Sequence, residues 1–331
     1  MNFKQNFQIK PIKLRFVPNF KLCKVIYNLQ QAKFSRMVVD GKQRKILEKK
    51  NVKGYGDIVT VYQIANDDDC DNTDPLNEFD YAVFSACLSY FDKGDSCISL
   101  GIIYRAMTGK TTEGGKGKVP PEIRESILLS LKKLIGTVIE IDDAQVNSAF
   151  DYAKPGSKKC SAILPAHFDE TLINGKDASV VFFDRISPLM AIAKQRKQIL
   201  SYSPALLDAP GIRNSFMNIM LKNYVIRRVA EIKIHKNLRK IITFADVFRK
   251  CRIDNADRKI KQRAREVIIK FFEHLQAEGF IKSFETVNEK KTLYSVHISL
   301  YKSASDNLQQ RICHFFIDFN GSEHRRKCHG A

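Results

Sequence analysis

The chain contains no tryptophan, so 22 Phe and 11 Tyr must supply its aromatic packing. It also lacks an apolar run of the roughly 18 residues that a membrane-crossing helix needs. Its first residues are basic but carry no apolar core of about 7–15 residues, so no secretory signal is read there. The eight cysteines include no Cys-x-x-Cys pair. They are expected to be reduced thiols in a cytoplasmic protein, not a disulfide framework. The seven histidines include no pair one residue apart, the arrangement that holds the metal of a DNA-nicking relaxase. Cys313, His314, His324, Cys328 and His329 gather near the C-terminus, but their spacing matches no standard zinc finger. No Gly-x-Ser-x-Gly and no dinucleotide fingerprint occurs. These absences predict a protein that is not an enzyme and holds neither a metal nor a cofactor.

One stretch imitates a nucleotide site. Residues 106–122 read AMTGKTTEGGKGKVPPE and contain Gly-Lys-Thr-Thr. A Walker loop needs a glycine five positions before the Gly-Lys pair, and it must pass directly from a strand into a helix. Tyr104 stands at that position, and Leu100 to Met107 read as a helix. The stretch is therefore expected to be a basic loop between two helices.

What is abundant is positive charge. There are 55 Lys+Arg against 36 Asp+Glu, a net +19. That balance points to a polyanionic partner, nucleic acid first. Residues 1–56 hold 14 Lys/Arg and 2 Asp/Glu, residues 57–100 hold 1 and 10, and residues 211–300 hold 20 and 9. The acidic NDDDCDNTDP at 66–75 contains Pro and Asn and has no nearby His. It reads as a solvated linker, not a metal site.

The periodicities predict two similar units. Phe79, Val83, Phe84, Cys87, Leu88 and Phe91 recur at helical spacing within 77–94. Ser99 caps a short second helix, and Pro120-Pro121 open a third that ends at Gly136. TVIEID, KCSAILPA and ASVVFFDR then read as strands. In the second half, helices are expected at 214–234, after Thr243 and over 254–279, followed by two strands around VNEKK. Three helices and a hairpin describe a winged helix. The expected fold is mostly α with small β hairpins, an α+β chain of two tandem winged-helix domains. A basic N-terminal extension (1–56) precedes the first domain (57–186), expected to dimerise or touch DNA. The second (187–302) is the main DNA reader, and a basic tail (303–331) follows. Met37 offers an alternative start, which would place residues 1–36 ahead of the natural one.

Helix 254–279 carries the strongest functional signal. Ile260, Ala264, Val267, Ile268, Phe271 and Leu275 share one arc, the expected core face. Arg258, Lys261, Gln262 and Arg265 fall opposite, joined by Lys259. One packed side and one side of cations and amides is what a major-groove reading helix requires. Lys290 and Lys291 at the hairpin tip suit phosphate contact. The third helix of the first unit has a mixed outward face of Arg124, Glu125, Ser126, Ser130 and Lys132. That unit could reach DNA through Lys110, Lys116 and Lys118, or could instead present a protein-binding face.

The two units, the segment from Pro188 to Ile199 (PL-x-x-x-A-x-x-x-x-QI) and LKNYVIRRV (221–229) together resemble replication initiators of theta-type plasmids and related mobile elements. The resemblance covers about residues 77–302. It implies a non-enzymatic protein that binds repeated origin sites in double-stranded DNA. It further implies recruitment of host replication proteins, such as a helicase or host initiator, and a switch between monomer and homodimer through the first unit. A winged-helix transcriptional regulator is the alternative of the same architecture. A nicking relaxase lacks its histidine pair, and no membrane partner is expected. The basic N-terminus and the acidic 57–100 stretch depart from the family pattern.

Overall fold

The computed structural model describes residues 14–16, 35–39, 42–50, 58–64, 76–110, 119–142, 159–173, 176–195, 199–234, 237–289 and 292–301. The expected linker at 66–75 and the tail at 303–331 lie outside them. The fold is mixed α+β, with seven α-helices among the described residues.

The first half opens on α1 (Glu78–Asp92). Asn77 caps it, accepting from the Phe79 and Asp80 amides at 2.8 and 3.0 Å, while Asp80 accepts back from the Asn77 amide at 2.8 Å. This reciprocal box satisfies amides that the first turn leaves without helical partners. Strand β5 (Cys97–Ser99) leads into α2 (Leu100–Thr108), whose first turn Ser99 caps, and α3 (Pro121–Gly136) follows. Strands β8 (Ala166–Ile173) and β9 (Lys176–Phe183) form a hairpin, and β5 pairs with β9. All three strands are antiparallel, in the order β5-β9-β8.

The second half repeats this order. Helix α5 (Phe216–Ile234) leads to β11 (Ile241–Thr243), α6 (Phe244–Lys250) and α7 (Arg258–Ala277). Strands β12 (Ser283–Glu289) and β13 (Thr292–Ser299) close it, with sheet order β11-β13-β12. In each half the short strand between the first two helices pairs with the last strand of the hairpin. Between the halves lie α4 (Pro188–Gln195), β10 (Leu200–Tyr202) and one 3-10 turn (Pro204–Leu207).

One expectation is corrected. The strands TVIEID (β6, Thr137–Asp142) and KCSA (β7, Lys159–Ala162) pair with each other but not with the hairpin that follows. They extend a separate five-stranded sheet, ordered β2-β3-β4-β6-β7. Its other strands are β2 (Ser35–Val39), β3 (Lys42–Lys50) and β4 (Ile58–Ile64). Local alternation marks a strand but not its partner, so sequence separation misled the pairing. The sheet also crosses the boundary expected at residue 56, since β3 pairs with β4 from Arg44↔Ile64 to Lys50↔Ile58. A further strand, β1 (Leu14–Phe16), pairs with β10.

Helix α5 is the spine of the molecule. Ile219, Leu221, Val225, Ile226 and Val229 are fully buried in it. It packs against α1, α2 and α7. The halves therefore share one continuous core, which includes Phe79, Phe84 and Leu131 as well as Phe271 and Phe272. Polar ties cross the same junction. Asn223 Nδ2 on α5 donates to the Met107 carbonyl on α2 at 3.1 Å. Arg227 on α5 donates through Nη2 to both carboxylate oxygens of Glu78 on α1 at 2.6 Å.

Candidate nucleic-acid interface

Helix α7 starts from Asp257, whose carboxylate accepts from the Ile260 amide at 2.7 Å. The expected start near 254 thus moves inward, to the residue whose side chain can cap. No acidic residue lies in the first turn, where Arg258, Lys259 and Lys261 stand. Cations at the positive end of the helix dipole cost about 0.3–1 kcal/mol each. The helix tolerates this because Ala264, Ile268, Phe271, Phe272 and Leu275 are buried against the core. Stability alone does not account for the three cations.

The buried residues fix the rotation of α7. Its outermost line carries Lys259, Gln262, Arg263, Glu266, Lys270 and Glu273, all exposed. Arg258 is exposed as well, whereas Lys261 and Arg265 are half-buried on the flank. Ile260, assigned to the core on periodicity, is 36% exposed. Reading Ile260 as a core residue rotated the expected outward face toward the flank. That error hid Arg263 and Lys270, which the pattern of fully buried residues alone would have revealed.

Arg265 does not point to solvent in the way the wheel implied. Its guanidinium carbon sits 5.1 Å from the Phe248 ring centroid and 5.9 Å from that of Phe244, both on α6. Burial, then the neighbouring Arg258 charge, lowers its pKa below the usual arginine value. Its role here is to seat α6 against α7 through a cation–π contact. Gln262 remains outward, and its Nε2 donates to Glu266 Oε1 at 3.1 Å.

The remaining expected residues scatter. Lys290, Lys291, Lys116 and Lys118 lie outside the described residues. On the hairpin strand β12, Glu285 to Glu289 are exposed and carry two carboxylates. Lys110 is exposed just after Gly109, the left-handed C-cap of α2. A helix rather than a strand precedes that glycine, as the sequence suggested. On α3, Glu122, Arg124, Glu125 and Lys132 are exposed, a mixed face, and Arg124 donates to Ser179 Oγ at 2.9 Å.

Lys110 belongs to a different neighbourhood, around the buried Lys222 of α5. Lys222 is 1% exposed and donates to the Leu207 carbonyl at 2.5 Å and to Asn214 Oδ1 at 2.8 Å. Burial lowers its pKa from 10.5 to about 8, with Asp208 opposing that shift and Lys110 adding to it. His274, near the far end of α7, is lowered first by burial, with Asp208 and Lys222 among its other influences.

The shift has a measurable consequence. Between pH 8 and 10.5 an unfolded Lys222 keeps its proton while the folded one has lost it. The unfolded state then binds more protons, so stability rises with pH across that window. Subtracting the denaturation profile of Lys222→Met should isolate a rise approaching about 3 kcal/mol. Parallel wild-type and variant profiles would contradict it.

Among the described residues there is no cluster of metal-ligating side chains and no helix long and apolar enough to cross a membrane. Comparison of the chain with protein-family models, with curated proteins and with solved structures gave no match.

Proposed function

We propose that the chain is a sequence-specific double-stranded DNA-binding protein of two tandem winged-helix units, and a replication initiator. The exposed face of α7 carries the proposal: Arg258, Lys259, Gln262, Arg263 and Lys270 stand exposed on a helix whose other side is packed. A rigid helix with this division fits a major groove about 12 Å wide. The repeated helix–strand–helix–helix–hairpin order supports the winged-helix reading of both halves. In that reading α7 is the reading helix of the second unit, and α6 is the helix that Arg265 braces behind it. The initiator role rests on the resemblance carried by residues 188–199 and 221–229. Host replication proteins are its proposed partners, and the first unit is the proposed dimer contact.

Binding to duplex DNA should weaken steeply as salt rises from about 50 to 200 mM, because each neutralised phosphate releases counterions. Lys259→Ala should reduce the slope of log affinity against log salt by about 1, whatever the duplex sequence. Arg263→Ala should instead relax preference for the selected site if it reaches a base edge. A salt-independent affinity overturns the nucleic-acid reading. Autonomous replication of a circular DNA carrying the gene and its flanks separates initiator from regulator: a regulator represses a reporter but does not sustain the circle.

A further inference from the structure

One feature of α7 opposes the simple electrostatic picture. Glu266 is exposed in the middle of the basic line, with Arg263 and Lys270 one turn away on either side. Neither forms an ion pair with it, and its partner is the Gln262 amide at 3.1 Å. A phosphate about 4 Å from this carboxylate would be repelled, and more strongly as water is excluded from the interface. A helix that met only the phosphate backbone along this line would be weakened by Glu266. The carboxylate fits a position that looks into the groove, where the chemistry differs. There a carboxylate accepts from the exocyclic amine of cytosine.

The neighbouring amide favours the same placement. One N–H of Gln262 holds Glu266. The second N–H and the amide oxygen remain to donate and accept, the pattern that matches adenine N7 and N6. Residues one turn apart on a helix are separated by about 6 Å of rise. That spans between one and two base-pair steps, stacked about 3.4 Å apart. Arg263 and Lys270 flank the pair, so cations surround two side chains that can discriminate bases.

Resting on the DNA-binding reading above, the geometry points to Glu266 as a specificity-determining residue, oriented by Gln262, that accepts a hydrogen bond from a cytosine amine in the major groove. It contributes selectivity at the expense of overall affinity.

The test uses the full chain and a random pool of duplexes. Wild-type protein first selects its preferred site, and each base pair of that site is then varied. Glu266→Gln should lose preference for cytosine at one position by roughly 5- to 150-fold. The same variant should bind scrambled duplexes more tightly than wild type, since a repulsive charge is gone. Gln262→Ala should weaken preference at that position and at its neighbour. Glu273→Gln, an exposed acid further along α7, should leave the site preference unchanged. Equal tightening on all duplexes with the preference profile intact would overturn the inference and leave DNA binding standing. Failure of the wild-type chain to select any sequence would overturn both. Thermal melting of each variant serves as the folding control; a loss of preference confined to one base pair is not what a structural role would produce.

Discussion

Arg227→Ala is expected to destabilise the protein by about 3–5 kcal/mol, a large fraction of the roughly 5–15 kcal/mol that holds a domain folded. Arg227 is 7% exposed and lies on the helix that both halves share. Its Nη2 reaches both oxygens of Glu78, Nη1 lies 3.4 Å from Glu231 Oε1, and its guanidinium sits 4.7 Å from the Tyr81 ring centroid. Glu231 also accepts from Arg228 Nη1 at 3.0 Å. Two cations and two carboxylates thus balance inside the junction. Truncating Arg227 leaves the Glu78 carboxylate buried beside an empty volume, and a buried unpaired charge is among the costliest defects. The pair itself need not be a large net gain, because burying both ions cost desolvation in the first place. Combining Arg227→Met with Glu78→Leu should therefore recover most of the loss. Urea midpoints for the two singles and the double give the answer. A double variant no more stable than Arg227→Ala would show that the packing of Tyr81 and Tyr224, not charge balance, governs the junction.

The boundaries that sequence reads well are those set by local chemistry. Asn77, Ser99, Pro121 and Thr243 mark helix starts because their preferred conformations or side-chain oxygens serve the first turn whatever the tertiary context. Distant pairing is a different matter. The partners of β6 lie on β4 and β7, and nothing in TVIEID states whether it will join the following hairpin or strands far upstream. The candidate interface lies between these cases. Its helix was legible from periodicity, but its rotation was not, because Ile260 is apolar without being buried. Arg265 passed for a surface cation because sequence does not reveal that two phenylalanines of α6 face it. Glu78 and Arg227 are far apart in the chain, so their pairing had no local signature.

Gly109→Ala should cost several kcal/mol, of the order of 2–5, and the loss should exceed that of Gly94→Ala by more than half. Both glycines have positive φ, +81° and +98°. An L side chain in that region costs roughly 1–2 kcal/mol in either place. Their surroundings differ. A Cβ at Gly94 would meet nothing within 4 Å. A Cβ at Gly109 would stand 2.3 Å from the Asp208 nitrogen and 2.5 Å from the Pro204 oxygen. Those atoms are backbone, so no side-chain rotation relieves the contact, and overpacking adds about 1–3 kcal/mol. The displaced element is the 3-10 turn whose Leu207 carbonyl accepts from the buried Lys222. Strain at Gly109 would therefore pass into the junction that Asn223 and Arg227 close. The glycine of the Gly-Lys-Thr-Thr run has in this way a packing reason, close approach of two backbones, and it needs no phosphate to explain it. Equilibrium denaturation of the two variants side by side tests the reading. Equal losses at Gly94 and Gly109 would mean that the turn yields freely and that backbone conformation alone requires the glycine.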